Sequence, residues 1–298
     1  MKNEQFTGIF TPIVTPFTEE GAIDFNSMDH NLERWGASGL SGLVVAGSNG
    51  EAPYLELEER VSLALHVTKR CRHKTILLGT GCESTASTIA LNARAADAGA
   101  DGVLVLPPHY YKATMTEEVL YHYFAEVAEA SPIPVLLYNL PGNTGIHLSA
   151  SLVQRLSSHE RIAGIKDTSG NIVHLAEMLS LIKESFSVFA GNASYLLPAL
   201  TLGAAGGTLA LANILPEDCC SLRQLQQEGR LQEAADLQLT MLEINRLVTA
   251  QYGIPGLKYA LGLLGYKGGA ARRPLLPLSQ QAMNTIRTSL QDYGALGG

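Results

Sequence analysis

A lysine at the end of a short apolar run is the residue on which the chemistry suggested by this sequence depends. Lys166 follows the β-type run 162–165 and precedes Asp167 and the turn-forming residues 168–170. This pattern is typical of a strand that ends at a turn and leads into a helix. A lysine at the rim of a sheet loses hydration, which disfavours its ammonium form and makes its amine a nucleophile toward a keto acid. The alternative is a solvated lysine in an ion pair with Asp167, and one spacing alone favours that alternative.

Hydroxyl and amide side chains occur at the ends of other apolar runs. They belong to Ser48, Asn49, Tyr111 and Tyr138. Schiff-base chemistry on a 2-keto acid needs an amine, hydroxyls that carry protons, and neutral donors that hold a carboxylate. We expect Tyr138 to carry protons, with Ser48 and Tyr111 extending a hydroxyl relay, and the turn at Ser48 and Asn49 to hold a carboxylate. Tyr138 as a core tyrosine and residues 47–50 as a simple tight turn are the structural alternatives.

Eight apolar segments separated by helical patterns are expected to bring these residues together. Short strands alternating with amphipathic helices at roughly 30-residue spacing predict a closed (β/α)8 TIM barrel, in which all strand ends meet at one mouth. An open doubly wound sheet is the second choice, weakened because no GxGxxG follows the first strand. The predicted strands are 8–16, 42–46, 75–79, 102–106, 135–138, 162–166, 187–190 and 207–211.

The chain is predicted to divide into two parts. Residues 1–230 form the barrel catalytic domain, and residues 231–298 form a C-terminal helical domain that covers the barrel flank or mediates oligomer contacts. The predicted helices of this second part are 231–252, 255–264 and 279–293.

Composition indicates a globular protein that acts on small molecules. Hydrophobic residues make up 46% of the 298 residues, charged residues make up 16%, and the net charge is -7. This charge disfavours a nucleic-acid or anionic-membrane partner. The cysteines Cys71, Cys82, Cys219 and Cys220 contain no CxxC pair and follow no secretory leader, so we expect a cytoplasmic protein without a disulfide framework.

Neither a metal nor a phosphate site is expected. His109, His122 and His147 lack metal-ligand spacing, which argues against a metal-dependent aldolase. Residues 185–222 contain no lysine or arginine, which argues against the usual phosphate site of barrels, although backbone amides can still bind an anion. Gly191, directly after predicted strand seven, and Thr208, within predicted strand eight, complete the predicted substrate-binding set.

Three motifs at predicted strand ends occur in a characteristic order. They are GSNGE at 47–51, YNLPGNTG at 138–145 and GIKD at 164–167. Together they resemble the dihydrodipicolinate synthase / N-acetylneuraminate lyase family of class I aldolases, and the resemblance covers essentially the whole chain. It implies a (β/α)8 barrel with a C-terminal helical domain, usually tetrameric, that uses no cofactor beyond a lysine imine with pyruvate.

The resemblance also implies roles for individual residues. Lys166 matches the Schiff-base lysine and Tyr138 the proton-shuttling tyrosine. Ser48 and Asn49 match the turn that binds the pyruvate carboxylate. Tyr111 matches the tyrosine that a neighbouring subunit lends to the relay.

Two departures bear on the second substrate. Dihydrodipicolinate synthases typically carry an arginine where this chain has Asn143, and two threonines where it has Ser48 and Asn49. Both departures argue against a role in lysine biosynthesis. The segments 47–51, 79–85, 138–145 and 252–258 more closely resemble the 4-hydroxy-2-oxoglutarate aldolase branch, which cleaves its substrate to pyruvate and glyoxylate. The alternatives are a 4-hydroxy-tetrahydrodipicolinate synthase that condenses pyruvate with aspartate semialdehyde, another keto-acid or sugar-acid lyase, and a catalytically silent barrel that binds a keto acid.

Overall fold

Eight parallel strands close into a barrel in which each strand pairs with the strands before and after it in the chain. This computed structural model describes residues 4–296. Closure occurs between the first and last strands, where Phe10 pairs with Thr208. The predicted (β/α)8 TIM barrel followed by C-terminal helices is therefore confirmed. The strands are β1 (Gly8–Pro12), β2 (Gly42–Val45), β3 (Thr75–Gly79), β4 (Gly102–Val105), β5 (Val135–Asn139), β6 (Ile162–Asp167), β7 (Ser187–Ala190) and β8 (Gly206–Thr208).

Helices cover the outside of the barrel and continue beyond it. Several begin at polar caps: the side chains of Asp24, Ser84 and Thr116 each accept a hydrogen bond from the N–H three residues later. The helices are α1 (Phe25–Ala37), α2 (Leu57–Arg70), α3 (Thr85–Asp97), α4 (Glu117–Ala130), α5 (Pro141–Thr144), α6 (Ala150–Leu156), α7 (Ile172–Leu181), α8 (Leu196–Thr201), α9 (Pro216–Gln227), α10 (Leu231–Arg246), α11 (Gly253–Leu263) and α12 (Gln280–Asp292).

The first and last strands are shorter than the apolar pattern predicts. The Asn213 side chain lies where β1 stops: its amide donates to the carbonyl of Pro12 (3.0 Å) and accepts from the N–H of Val14 (3.3 Å). Beyond β1, this side chain bonds the backbone at Pro12 and Val14, while the Ile13 N–H still donates to the Val44 carbonyl at 3.0 Å. After β8, the chain turns into the short 3₁₀ helix Ala210–Asn213 instead of continuing as a strand.

Alternation along the strands separates an inner core from an outer one. Strand residues that point outward pack under the helices, and those that point inward fill the barrel. The inner cluster contains Phe6, Phe10, Val44, Leu77, Leu104, Leu136, Tyr138, Leu140 and Phe189. The interior is therefore a packed core, and polar side chains within it need a specific reason.

The C-terminal helices pack directly on the barrel. The Gln238 side chain on α10 accepts from the N–H of Leu197 (3.0 Å) and donates to the carbonyl of Ala193 (2.7 Å). Met241 and Leu257 belong to the same hydrophobic cluster as the outer face of the strands. The division at residue 230 stays a prediction. Among residues 4–296, no helix is both long and apolar enough to cross a membrane.

Candidate active site

Lys166 and Tyr138 lie side by side inside the barrel, near the carboxyl ends of β6 and β5. The two residues pair in register, and Lys166 pairs on its other side with Phe189 of β7. The Lys166 Nζ donates a hydrogen bond to the Tyr138 Oη at 3.0 Å. Lys166 is 3% exposed and Tyr138 is 4% exposed. The amine is thus held against a phenol in an interior that is otherwise largely apolar.

Asp167 does not neutralise this lysine. Its side chain accepts hydrogen bonds from the Asn139 amide (2.6 Å) and the Ser169 hydroxyl (2.7 Å) instead. Successive strand residues point to opposite faces, which separates the Asp167 carboxylate from the Lys166 amine. Within residues 4–296, Lys166 forms no ion pair with a carboxylate. The alternative of an ion pair with Asp167 is therefore not realised.

Ser48 extends the contact toward β2. Its Oγ lies 3.4 Å from the Tyr138 Oη. Burial raises the pKa of the Tyr138 phenol, but the Lys166 ammonium and the hydrogen bonds with Ser48 and Lys166 outweigh burial, so the pKa lies below its ordinary value. A phenol whose pKa is lowered in this way is suited to giving up and recovering a proton.

The turn that carries Ser48 and Asn49 is a short 3₁₀ helix, Ser48–Gly50. It is closed by the Gly50 N–H, which donates to the Gly47 carbonyl at 3.0 Å. The residue after the turn, Glu51, has a φ of 60°, in the left-handed region that non-glycine residues rarely adopt. The surrounding contacts must therefore hold this turn in place.

A cavity of 360 Å³ opens beside these residues. Ser48 and Tyr138 form part of its wall, together with Arg60, Cys82 and Glu83. Cys82 and Glu83 follow β3, so the convergence of strand ends at one mouth is a sequence signal for both. Arg60 comes from within α2, for which no such signal exists. Its Nη2 donates to the Ala52 carbonyl at 2.7 Å, and burial lowers the pKa of its guanidinium.

The other predicted site residues occupy different positions. Thr208 is buried at the end of β8 and pairs with the inward-facing Phe10. Tyr111 is 72% exposed, and Asn143 is exposed on α5. Neither lines the 360 Å³ cavity within the described part of the chain. The structure therefore brings Lys166, Tyr138 and Ser48 together but leaves Tyr111 and Asn143 at the surface.

Gly191 helps to fix the backbone at Asp167. Its N–H donates to the Asp167 carbonyl at 2.7 Å, and the Tyr195 hydroxyl donates to the same carbonyl at 2.7 Å. A Cβ at this position would lie 1.9 Å from the Thr168 Oγ1, so only glycine fits without movement. This glycine therefore lets β7 approach the end of β6 closely.

Comparison with known proteins finds similarity along the whole chain. The model of the dihydrodipicolinate synthetase family matches residues 5–293. A 4-hydroxy-tetrahydrodipicolinate synthase of Oceanobacillus iheyensis is 35% identical over 289 residues, which cover 97% of each chain. A crystal structure of dihydrodipicolinate synthase from Bacillus anthracis has a TM-score of 0.93 and 30% identity, covering 98% of this chain and 99% of that one. YagE, an E. coli K12 prophage protein of the dihydrodipicolinic acid synthase family, was crystallised with pyruvate; its TM-score is 0.92 and its identity 32%, with 97% and 99% coverage.

Proposed function

Because this chain belongs to the dihydrodipicolinate synthetase family, we propose that it is a pyruvate-dependent aldolase in which Lys166 carries the substrate as an imine. Members of this family are class I enzymes that make or break carbon–carbon bonds through a lysine Schiff base, without a metal or an external cofactor. The observation that carries the assignment to Lys166 is its buried contact with the Tyr138 hydroxyl, at 3.0 Å.

Imine formation uses both members of this contact. The Lys166 amine attacks C2 of pyruvate to form a carbinolamine. Tyr138 gives its phenol proton to the carbinolamine oxygen, which leaves as water, and a protonated imine remains. The resulting phenolate then takes a proton from C3 of the imine, which produces an enamine and regenerates the phenol.

Carbon–carbon bond formation uses the same proton carrier. The enamine attacks the aldehyde carbon, and Tyr138 protonates the oxygen that develops negative charge. Hydrolysis of the new imine releases the product and the lysine. In the cleavage direction, Tyr138 removes the proton of the C4 hydroxyl while the protonated imine accepts the electron pair. Ser48 and Asn49 hold the pyruvate carboxylate in both directions.

Replacing Ser48 with alanine is expected to raise the KM for pyruvate about tenfold and to shift the pH dependence of kcat/KM. The Ser48 hydrogen bond lowers the pKa of Tyr138, so its loss raises that pKa. Because the free enzyme needs Tyr138 as the proton-donating phenol, the limb of the profile on which this phenol loses its proton then moves to higher pH. Steady-state kinetics over a range of pH measure both effects.

Ser131→Ala is the matched control for this variant. The Ser131 hydroxyl is buried and donates to the Ile133 carbonyl at 2.6 Å, ahead of β5 and so at the opposite end of the barrel. We expect it to keep the parental KM and pH profile. A Ser48→Ala variant with the control's kinetics would remove Ser48 from the site.

The aldehyde that we propose as acceptor is aspartate semialdehyde. Several relatives of at least 30% identity are named 4-hydroxy-tetrahydrodipicolinate synthase, which favours the alternative reading over the expected cleavage of 4-hydroxy-2-oxoglutarate. The expected cleavage is not supported by these comparisons. Cleavage of 4-hydroxy-2-oxoglutarate stays the second candidate, because Asn143 is a neutral residue at the position where the family resemblance places an arginine.

The acceptor experiment offers aspartate semialdehyde and glyoxylate in parallel, each with pyruvate. Because the relatives are named for the enzyme that uses aspartate semialdehyde, we expect kcat/KM to be at least about tenfold higher for this aldehyde than for glyoxylate. A tenfold preference requires only a modest difference in transition-state binding. Preference for glyoxylate would instead select the second candidate. Turnover of neither aldehyde, in protein that still binds pyruvate covalently, would point to another lyase of the family.

The proposal also includes the assembly of the protein. We propose a homotetramer in which the exposed Tyr111 enters the site of a neighbouring subunit, as the family resemblance implies. Its ring packs edge-to-face on the similarly exposed Tyr110, which supports a role for both rings in a contact between subunits.

A cytoplasmic location is proposed because the four cysteines are free.

A further inference from the structure

A buried ion pair lies directly behind the Ser48–Gly50 turn. Glu51 follows the turn, and its Oε1 lies 2.5 Å from the Nζ of Lys258 on α11. The two side chains are 0% and 2% exposed. A buried charged pair is expensive to form, so its presence at this position calls for a reason beyond stability.

Lys258 also holds the two chain segments that flank this turn. Its Nζ donates to the carbonyls of Thr15 and Ala270, each at 2.7 Å, and so uses its remaining donors. The Thr15 hydroxyl in turn donates to the carbonyl of Gly50 at 2.8 Å. One ammonium group therefore links the loop after β1, the turn after β2 and the C-terminal segment.

The second carboxylate oxygen of Glu51 also contacts the C-terminal segment of the chain. Its Oε2 accepts from the N–H of Arg272 at 2.8 Å. The Arg272 guanidinium is itself fixed by two contacts of 2.7 Å with Glu59 on α2. Both carboxylate oxygens are thus bound to the C-terminal segment, which explains how Glu51 keeps its left-handed backbone conformation.

We propose that Lys258 and Glu51 are positioning residues that keep the Ser48–Gly50 turn in the shape that binds the pyruvate carboxylate. This inference rests on the proposed function. Neither residue touches the reacting atoms. Loss of either charge leaves the other buried without its partner, and the turn relaxes toward an ordinary backbone conformation. The C-terminal segment therefore takes part in substrate binding and not only in covering the barrel.

The test compares Lys258→Met with Lys74→Met. Lys74 is a matched control, because its Nζ also donates to two carbonyls, those of Ser38 and Leu40 at 2.7 Å each, but ahead of β3 at the opposite end of the barrel. Borohydride trapping with increasing pyruvate gives the half-saturating concentration, and steady-state kinetics give KM and kcat.

Lys258→Met is expected to raise the half-saturating pyruvate concentration about tenfold or more, while kcat at saturation changes by less than about threefold. Lys74→Met is expected to leave the half-saturating concentration unchanged. Hydrogen exchange should become faster at residues 47–52 in Lys258→Met but not in Lys74→Met. An unchanged half-saturating concentration in folded Lys258→Met overturns the proposal, as does an equal rise in both variants.

Two further variants test the same proposal if Lys258→Met does not fold. Glu51→Gln keeps the shape and the acceptor oxygen, and Glu51→Gln combined with Lys258→Met removes both buried charges together. Each should raise the half-saturating pyruvate concentration relative to Lys74→Met, and parental pyruvate binding in either overturns the proposal. Failure of the parental protein to trap pyruvate would instead contradict the proposed function.

Discussion

Lys166→Met is expected to lose turnover by at least about 10⁴-fold and to form no borohydride-stable adduct with pyruvate. Methionine retains the length and apolar stem of lysine, so the interior between Tyr138 and Phe189 stays filled. It has no amine, and no carbinolamine can form. Activity assays and intact-mass measurement after borohydride treatment test both parts.

Lys69→Met is the control for this experiment. Lys69 is an exposed residue of α2, and its replacement should preserve both turnover and adduct formation. A Lys166→Met protein that retains activity within tenfold of the parent would show that another group, or no covalent step, carries the reaction.

Tyr138→Phe is expected to remain folded and to lose activity by about 10²-fold or more. The phenylalanine ring keeps the packing of Tyr138 in the inner cluster, and only the hydroxyl that contacts Lys166 and Ser48 is removed. Imine formation should become slower but remain detectable, because the amine is still present. Steady-state kinetics and the rate of borohydride trapping measure the two effects.

Tyr123→Phe provides the matched control. Tyr123 is also a buried tyrosine whose hydroxyl contacts another hydroxyl, that of Thr88 at 3.0 Å. It lies on α4 and meets the cavity wall only through the backbone carbonyls of Cys82 and Leu106 (3.4 and 3.5 Å), not through Lys166 or Ser48. This variant should lose about 1 kcal/mol of unfolding free energy and keep nearly full activity. Equal activity losses in the two variants would contradict a proton-transfer role for Tyr138.

The relation between Lys166 and Tyr138 could be predicted because it depends on backbone periodicity. The two residues end consecutive apolar strands of one parallel sheet, and strands separated by a single helix lie next to each other in a barrel. Their common inward direction follows from pairing in register. Ser48 was found by the same reasoning, since it follows β2 at the same mouth.

Contacts that depend on tertiary packing have no signal in the sequence comparable to the strand periodicity. Nothing in the local pattern around Lys258 indicates that its amine reaches Glu51, because α11 is brought to the turn by the packing of the whole C-terminal segment. The end of β1 is not predictable for a similar reason, since the chain there contacts a side chain distant in sequence, that of Asn213. Tyr111 and Asn143 lie in loops, whose direction the strand pattern does not determine.

Borohydride trapping of the parental protein with pyruvate, followed by intact-mass and peptide analysis, tests the central claim most directly. The account predicts one pyruvate adduct per chain, on the peptide that contains Lys166. Absence of an adduct from folded protein, or an adduct on a different lysine, would contradict it.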